Sequence, residues 1–530
     1  MNNVVLVGFM GSGKSTIGPL LAERLGRPFR EIDDEIVAEA GNPVPGIFAA
    51  EGEPGFRRRE TECLTRVLLA DGQVVAVGGG APLSDENWRR MRDGNCVVAL
   101  TAEPAELERR LNGTSDRPLL EPGVRNSIER LLPPRVSRYL QADLVVPTDG
   151  REPRTVADQL VGVLPATGLA RVPIEIPGSP HELVVGRNLA DLAGPVLQRS
   201  GAGGRVVVVT DPIIGEAHAI PLVEGLRRAG FATETHLIPA GEAAKSIETL
   251  TALLERLGDL HLDRSGALLT LGGGTVGDVT GFAAATWLRG IRYLQVPTTM
   301  LAMVDSSIGG KTAINLRSGK NLVGAVHQPV GILCDLDYLR TLPEQEFRSG
   351  MAEICKAAMI ADAAFGDWLL QSCRRIREQD SSALAQAVAR AVAIKASVVS
   401  DDPTETGRRA ILNYGHTVGH GLERALGYGR IRHGEAVAWG MEVAAELSVR
   451  TGRCSPDVAR SQRTLLHAFG LLEERPTVPR KDLLEAIAHD KKSRAGEIEW
   501  VLLKRVGQAE WGCRLDGQQL VAALDKVFQA

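Results

Sequence analysis

Residues 413–423 read NYGHTVGHGLE and set His416 and His420 four positions apart among glycines. At about 100° per residue, Arg409, Asn413, His416 and His420 fall within about 60° of one another on a helix, a single polar stripe. Two imidazoles so spaced suit a metal, yet the glutamate that follows the first histidine of an HExxH metalloprotease is absent, position 417 being threonine. His433 in IRHGEAV and Glu353 in GMAEICK offer further ligands. Two histidines and a carboxylate with one open position form the catalytic zinc pattern, not the closed structural one. A lone histidine is most often a satisfied core residue; three within 18 residues point to a site. Lys356, one turn after Glu353, Lys395 and the run HDKK (489–492) add cations that either hold an anion or lie along the surface. Glycines 415, 419 and 421 each cost about 1 kcal/mol against alanine in a helix, so close packing or ligand approach must offset them.

A second constellation opens the chain. GFMGSGKST (8–16) matches G-x-x-x-x-G-K-[ST], between an apolar run that predicts a strand and a helical pattern. Glycines 8, 11 and 13 let the backbone approach phosphate oxygens. Amides at the helix start and the Lys14 ammonium then neutralise phosphate charge, and Ser15 is placed to hold Mg²⁺. FREIDDEI (29–36) supplies carboxylates at the end of a second expected strand, while GFRRRE (55–60) and VGGG (77–80) supply an arginine cluster and a pliable backbone suited to a small carboxylate. A third glycine turn, LGGGTVGDVTGF (271–282), again joins a strand to a helix. It is not G-x-G-x-x-G and is weak by itself. PAGEAAKS (239–246) and VPTTMLAMVDSSIGGKTAIN (296–315) add hydroxyl, carboxylate and lysine groups near other expected strand ends, where ligands of open α/β sheets gather.

The elements that must carry these groups follow from periodicity. Short β-branched runs at 3–8, 74–80, 96–102 and 142–149 alternate with helical patterns at 14–25 and 153–163, predicting a parallel sheet covered by helices. Small residues, Pro and Gly near 164–173 mark a linker. A hairpin at 172–186 and strands at 205–211, 267–274 and 293–299 continue the rhythm, and Ala-rich helical patterns dominate 344–470. The 530 residues, 44% hydrophobic and 24% charged, allow roughly three globular domains. A net charge of -4 supplies no basic field for nucleic acid or anionic membrane. Seven cysteines without a CxxC pair fit a reducing compartment, and neither a leader pattern nor a 20-residue apolar run is read, so a cytoplasmic location is expected.

The first 163 residues resemble shikimate kinase in the P-loop, the aspartate turn, GEPGFRRRE, VGGG, DRPLL (116–120) and RVSRY (135–139). That resemblance implies ATP with Mg²⁺, with Gly11, Ser12, Gly13, Lys14, Ser15 and Thr16 on the nucleotide and metal. It places Asp33 on the hydroxyl that is phosphorylated, Arg57, Arg135, Gly79 and Gly80 on the sugar acid, and Arg117 on the lid. The family often has Asp-x-Asp where this chain has Glu31; the longer side chain can still serve the magnesium shell through water.

Residues 172–530 resemble 3-dehydroquinate synthase in GGGTVGD, VPTTMLAMVDSSIGGKTAIN, GKNLVGAVHQP, MAEICK, LNYGHTVGHGLE and HGEAV. The resemblance implies Glu353, His416 and His433 as ligands of Zn²⁺ (or Co²⁺), with His420 a site residue beside them. It implies Asp305, Lys311, Lys320, Asn321, Lys356, Lys395, Arg409, Asn413 and Lys491 on substrate, and Arg289 reaching a neighbouring subunit's phosphate pocket in a homodimer. Glu242, Lys245, Gly273, Gly274, Asp278, Thr298 and Thr299 would bind NAD. The expected substrate is 3-deoxy-D-arabino-heptulosonate 7-phosphate, oxidised transiently, freed of phosphate, reduced again and closed by an internal aldol step. The implied architecture is an α/β P-loop kinase domain (1–165), a linker (166–172), a Rossmann-like α/β NAD domain (173–338) and an all-helical metal-binding domain (339–530). Two other readings stand beside this one for the second half: a metal-dependent polyol dehydrogenase that releases NADH, and another sugar-phosphate cyclase. Lys311, Asn321, Arg409, Asn413 and His420 favour the dehydroquinate branch. For the first half, an ATP-sensing module would need no Asp33, Arg57 and Arg135.

Overall fold

The computed structural model describes residues 3–112, 123–164, 169–402, 407–427, 429–488 and 498–528. Arg117 with its DRPLL stretch, and Lys491 with the whole of HDKK, lie outside the described residues. Contacts divide the chain into two compact units: Met1–Arg171 with Gly186–Gly204 and Pro221–Thr233, and Val172–Val185 with Arg205–Ile220 and Glu234–Ala530.

The first segment runs β1 (Val4–Val7), α1 (Lys14–Leu25), β2 (Phe29–Glu31), α2 (Ile32–Ala40), α3 (Val44–Val67), β3 (Val74–Ala76), α4 (Asp85–Arg92), β4 (Cys96–Thr101), α5 (Pro104–Leu111), α6 (Val124–Leu131), α7 (Pro133–Tyr139), β5 (Leu144–Pro147) and α8 (Pro153–Val163). The strands pair in parallel in the order β2-β3-β1-β4-β5. Both faces of β1 are covered, which is why VVLV carries no polar alternation. With β1 between β3 and β4, the loop that leaves its carboxyl end opens into the crevice such sheets use for ligands. Asp33 lies in the first turn of α2, just past the strand end expected for it. Gly52, at φ 68, breaks α3 into two helical pieces, and the second carries Arg57.

The chain continues through β6 (Ala170–Ile174), β7 (His181–Gly186), α9 (Ala193–Arg199), β8 (Arg205–Thr210), α10 (Pro212–Arg228), β9 (Ala232–Leu237), α11 (Ile247–Asp259), β10 (Ala267–Gly272), α12 (Gly274–Thr286), β11 (Arg292–Pro297), β12 (Lys311–Leu316), β13 (Gly319–Val326) and β14 (Ile332–Asp335). Seven of these strands form a sheet ordered β6-β7-β14-β11-β10-β8-β9. β10 sits inside it, parallel to β8 and β11 and buried along its whole length. β12 and β13 form a separate antiparallel pair that the sequence reading did not separate from its loops.

Helices follow: α13 (Glu344–Ala361), α14 (Ala363–Arg377), α15 (Ser381–Asp401), α16 (His416–Leu426), α17 (His433–Arg450), α18 (Pro456–Ala468), α19 (Arg480–Ala488) and α20 (Gly517–Phe528). To these the structure adds a hairpin, β15 (Trp500–Arg505) with β16 (Gln508–Cys513). α15 is apolar enough by composition to cross a membrane, but half of the apolar stretch is buried within the structure, as in a core helix.

The single helical stripe expected for Arg409, Asn413, His416 and His420 is corrected. Residues Arg408–Asn413 form a separate 3₁₀ turn, Tyr414 is extended, Gly415 has φ 80, and α16 begins only at His416. Gly415 supplies the left-handed residue that the break requires. The cost of these glycines is offset by packing. A Cβ on Gly415 would lie 2.8 Å from the Val437 carbonyl, one on Gly440 would lie 1.9 Å from the Gly415 carbonyl, and one on Gly421 would meet Ile487 at 2.7 Å.

Candidate active sites

In the first unit, β1 delivers the chain into a turn that needs glycine. Gly8, Gly11 and Gly13 have φ of 152, 79 and 100, and a Cβ on Gly8 would stand 2.3 Å from the Leu100 carbonyl. α1 then starts at Lys14 without a side-chain cap, so its first amides face the loop. The Lys14 ammonium bonds the carbonyls of Gly8 at 2.7 Å and Phe9 at 3.1 Å, and the Ser15 hydroxyl donates to Glu31 Oε1 at 2.6 Å. Lys14, Ser15, Glu31, Asp33, Arg57, Gly79, Gly80 and Arg135 line one cavity of about 200 Å³, walled by Phe9, Phe48 and Phe56. Arg135 is buried, donates from Nε to the Gly79 carbonyl at 3.1 Å and stacks over Phe9. Gly80 has no room for a side chain, since a Cβ there would meet the Arg57 guanidinium at 2.4 Å.

Glu60, three residues after Arg57, was not singled out by sequence reading. It is fully buried, its Oε2 pairs with Arg57 Nη1 at 2.8 Å, and its Oε1 has no hydrogen-bond partner. Burial pushes its carboxyl up to about 7 against the opposing pull of Arg57. From its ordinary 4.5 to about 7, the folded chain therefore holds a proton that the unfolded chain has released, and this group's contribution to stability falls as pH rises through that window. Glu60→Gln is expected to flatten that stretch of the stability-versus-pH curve, read as the thermal midpoint of the first unit; an unchanged slope would assign it to another group. Arg110 was also missed. It bonds the Gly11 carbonyl at 3.1 Å and the Thr148 carbonyl at 2.7 Å, steadying the loop across 99 residues of sequence, a contact no local pattern announces.

In the second unit, three helices converge. Glu353 on α13 is buried, and its Oε1 has no hydrogen-bond partner. That oxygen lies 3.6 Å from His416 Nε2 at the start of α16 and 3.9 Å from His433 Nε2 at the start of α17. Gly434 lets α17 begin hard against α13: a Cβ there would stand 2.0 Å from the Ser349 carbonyl, and its amide donates to Ser349 Oγ at 2.9 Å. His420 sits beside the trio, its ring 5.3 Å from that of His416. Glu353 Oε2 pairs with Lys356.

A cavity of about 240 Å³ opens next to these groups, lined by Asp278, Asp305, Lys311, Lys356, Lys395, Arg409, Asn413 and His416. Lys395, on α15, donates to the Asp305 carbonyl at 2.6 Å and also pairs with its carboxylate. Burial favours the neutral acid at Asp305, but Lys395 and Lys356 outweigh it and hold the carboxyl well below its ordinary range. Asp305 stands in a single π-helical turn, Ala302–Ser306, of the kind that often marks functional sites.

The residues expected around NAD meet at the carboxyl end of β10. Gly273 precedes α12, whose N-terminus has no side-chain cap. The Thr298 amide donates to the Gly272 carbonyl at 3.0 Å, while its buried hydroxyl has no partner, and Thr299 Oγ1 caps Ala302 at 3.1 Å. Lys245 bonds Asp278 at 2.5 Å and also Asn321, whereas Glu242 accepts from Asn315 at 2.8 Å and pairs with Lys320 at 3.5 Å. Burial lifts the Asp278 carboxyl to about 6 against the pull of Lys245. Lys320 and Asn321 thus join the Glu242 and Lys245 cluster and are not among the residues lining the lysine- and arginine-rich cavity. Arg289 is exposed, has φ 64, and is not among the cavity-lining residues.

The 3-dehydroquinate synthase family matches residues 235–349 through its N-terminal part and 350–493 through its C-terminal part, and the shikimate kinase family matches 10–165. The 3-dehydroquinate synthase of Synechocystis sp. is 44% identical over 344 residues, covering 64% of this chain and 94% of that one. The chain belongs to the 3-dehydroquinate synthase family, with a shikimate kinase domain fused ahead of it.

The synthase of Caulobacter vibrioides is likewise 44% identical, over 64% of this chain and 93% of its own. Among solved structures, a 2-deoxy-scyllo-inosose synthase complexed with carbaglucose-6-phosphate, NAD⁺ and Co²⁺ is similar at a TM-score of 0.61 and 26% identity, over 68% of this chain and all of that one. A 2-epi-5-epi-valiolone synthase from Streptomyces hygroscopicus with NAD⁺ and Zn²⁺ bound is similar at 0.60 and 26%, over 66% and 97%.

Those two neighbours hold NAD⁺ with Co²⁺ or Zn²⁺, and the resemblance of the first half to shikimate kinase implies ATP with Mg²⁺. The residues present fit these groups. Zn–N and Zn–O bonds of about 2.0–2.2 Å at a tetrahedral centre set ligand atoms roughly 3.4 Å apart, close to the separations of Glu353 Oε1 from the two imidazoles. A buried carboxylate oxygen left without a hydrogen bond is costly unless a cation completes it. For the dinucleotide, the uncapped start of α12 and the orphaned Thr298 hydroxyl provide an anion-seeking cradle.

Proposed function

We propose that the kinase half phosphorylates the 3-hydroxyl of shikimate and that the synthase half converts 3-deoxy-D-arabino-heptulosonate 7-phosphate to 3-dehydroquinate and phosphate. Both reactions belong to the route toward chorismate and the aromatic amino acids. The observation that carries the synthase reading is the buried Glu353 Oε1 facing two imidazole nitrogens beside a lysine- and arginine-lined cavity.

In the kinase half, Gly11, Ser12, Gly13, Lys14, Ser15 and Thr16 would wrap the phosphates and Mg²⁺. Arg57 and Arg135 hold the sugar-acid carboxylate, with Gly79 and Gly80 keeping the floor low, and Asp33 orients the attacking hydroxyl. Glu31 accepts from Ser15 directly in this chain, which supports a role for it in the magnesium shell. Arg117 remains assigned to the lid by resemblance.

In the synthase half, Glu353, His416 and His433 would hold the metal. Bound there, the metal would supply Lewis acidity toward substrate hydroxyls, and NAD would supply reversible hydride acceptance. Lys356, Lys395, Arg409 and Asn413 surround the substrate, and Asp305 holds Lys395 in place for it. Lys311 borders the same cavity, and His420 keeps the metal side polar. Lys320, Asn321 and Lys491 are assigned to the substrate by resemblance, and Arg289 to the phosphate pocket of a second subunit in a homodimer. Glu242, Lys245, Gly273, Gly274, Asp278, Thr298 and Thr299 would cradle NAD. We place the kinase domain at 1–165, the linker at 166–172, the NAD domain at 173–338 and the helical domain at 339–530, and the protein in the cytoplasm as small-molecule machinery with neither nucleic-acid nor membrane partner.

The similarity to cyclases of other sugar phosphates keeps substrate identity as the point to test. Purified, metal-loaded protein given the heptulosonate phosphate is expected to release phosphate only with catalytic NAD, to form dehydroquinate and to accumulate no NADH. Net NADH would establish a polyol dehydrogenase instead, and no phosphate release would direct attention to other sugar phosphates.

A further inference from the structure

His433 presents its two ring nitrogens to two different carboxylates. Nε2 faces Glu353 Oε1 at 3.9 Å, while Nδ1 lies 3.3 Å from Glu423 Oε2. His416 is held in a matching way, with Nδ1 3.2 Å from the Tyr414 carbonyl and Nε2 turned toward the same Glu353 oxygen. Each imidazole thus has an acceptor behind it and a donor-ready nitrogen in front, which is the arrangement that fixes the tautomer of a metal-bound histidine. The two acceptors differ in kind, because only Glu423 carries a charge. α16 places Glu423 one turn past His420, and the tight packing of α16 on α17 brings it behind His433.

We propose that Glu423 is a positioning residue for the metal: its carboxylate accepts the Nδ1 proton of His433, holds the ring with Nε2 toward Glu353 and His416, and strengthens His433 as a ligand. The inference rests on the reading of Glu353, His416 and His433 as the metal-binding set. His420, Glu423 and His433 also offer three ligand atoms within 4.8 Å of one another, the geometry of a second ion site. A neutral imidazole has one N–H and one lone pair, so a second ion on Nδ1 would require the imidazolate. One ion, with Glu423 behind its ligand, needs no such deprotonation.

The test uses the full chain, stripped of metal and reloaded with Zn²⁺ or Co²⁺ alone. Wild type should bind one ion per synthase site. Glu423→Ala is expected to weaken zinc binding, measured by competition with a chromophoric chelator, by about 10- to 100-fold, the usual effect of losing a partner behind a ligand. The visible absorption of the Co²⁺ form should shift with it. Glu423→Gln retains an acceptor without the charge and should fall between wild type and alanine; being nearly isosteric, it also answers the question if the alanine variant does not fold. At saturating metal, phosphate release by Glu423→Gln should recover most of its kcat. Zinc affinity within twofold of wild type and an unchanged Co²⁺ spectrum in both variants would overturn the inference alone. Two ions in wild type and one in Glu423→Ala would replace it with a binuclear site. A wild type that binds no zinc would overturn the metal reading and this inference together.

Discussion

Lys14→Ala is expected to lower shikimate phosphorylation by at least roughly 10²–10³-fold, the loss typical of deleting one charge-stabilising donor, while leaving NAD-dependent phosphate release by the synthase half unchanged. Two effects combine at this residue. The ammonium is the cation of the phosphate loop, and its bonds to the Gly8 and Phe9 carbonyls tie the loop into its ligand-ready curve. Alanine removes the charge and frees both carbonyls to water, at a cost in stability of only about 0.5–1.5 kcal/mol per bond. Initial rates of both reactions on one preparation decide the matter. Equal loss of both activities in a folded variant would contradict independent sites.

His416→Ala should do the reverse. It removes one of the two imidazoles facing Glu353 Oε1 and leaves that buried oxygen with a single histidine across from it. Zinc content should fall below one per synthase site, cyclisation should drop by at least roughly 10²–10³-fold, and shikimate phosphorylation should persist. Wild-type cyclisation with a full complement of zinc would remove His416 from the metal set. The pair of variants also separates the halves: the two reactions are not consecutive, so neither loss should propagate through a shared intermediate.

The amino-acid order alone was enough to announce the glycine turns that follow β1 and β10 and the pairing of His416 with His420, because each depends on short-range grammar. Gly8, Gly11 and Gly13 before Lys14 answer a backbone requirement that operates within a few residues. Likewise the boundary of α1 at Lys14 follows from local pattern, and β1, β4 and β10 are apolar runs whose both-face burial leaves a simple signature. His416 and His420 share a helical face for the same reason, and the 3.6-residue period was correct from His416 onward. It failed one turn earlier, where Gly415 in the left-handed region separates Arg409 and Asn413 onto their own turn.

What tertiary structure decided is the set of relations that span long loops and different helices. No periodicity joins Glu353 to His433 across 80 residues; they meet because Gly434 allows α17 to begin against the backbone of α13. Nor does it join Arg110 to Gly11, or Lys395 to Asp305. Glu60 and Glu423 stand inside quoted motifs, but no local pattern sets either apart from any other helical acid. Burial turned the first into a carboxyl that titrates near neutrality, and the crossing of α16 with α17 set the second behind a histidine. Residue type and spacing determine which chemistry a chain can carry, since those are properties of the covalent order. Which atom faces which, and at what pKa, is determined by packing, because distance and dielectric exist only once the helices have closed on one another.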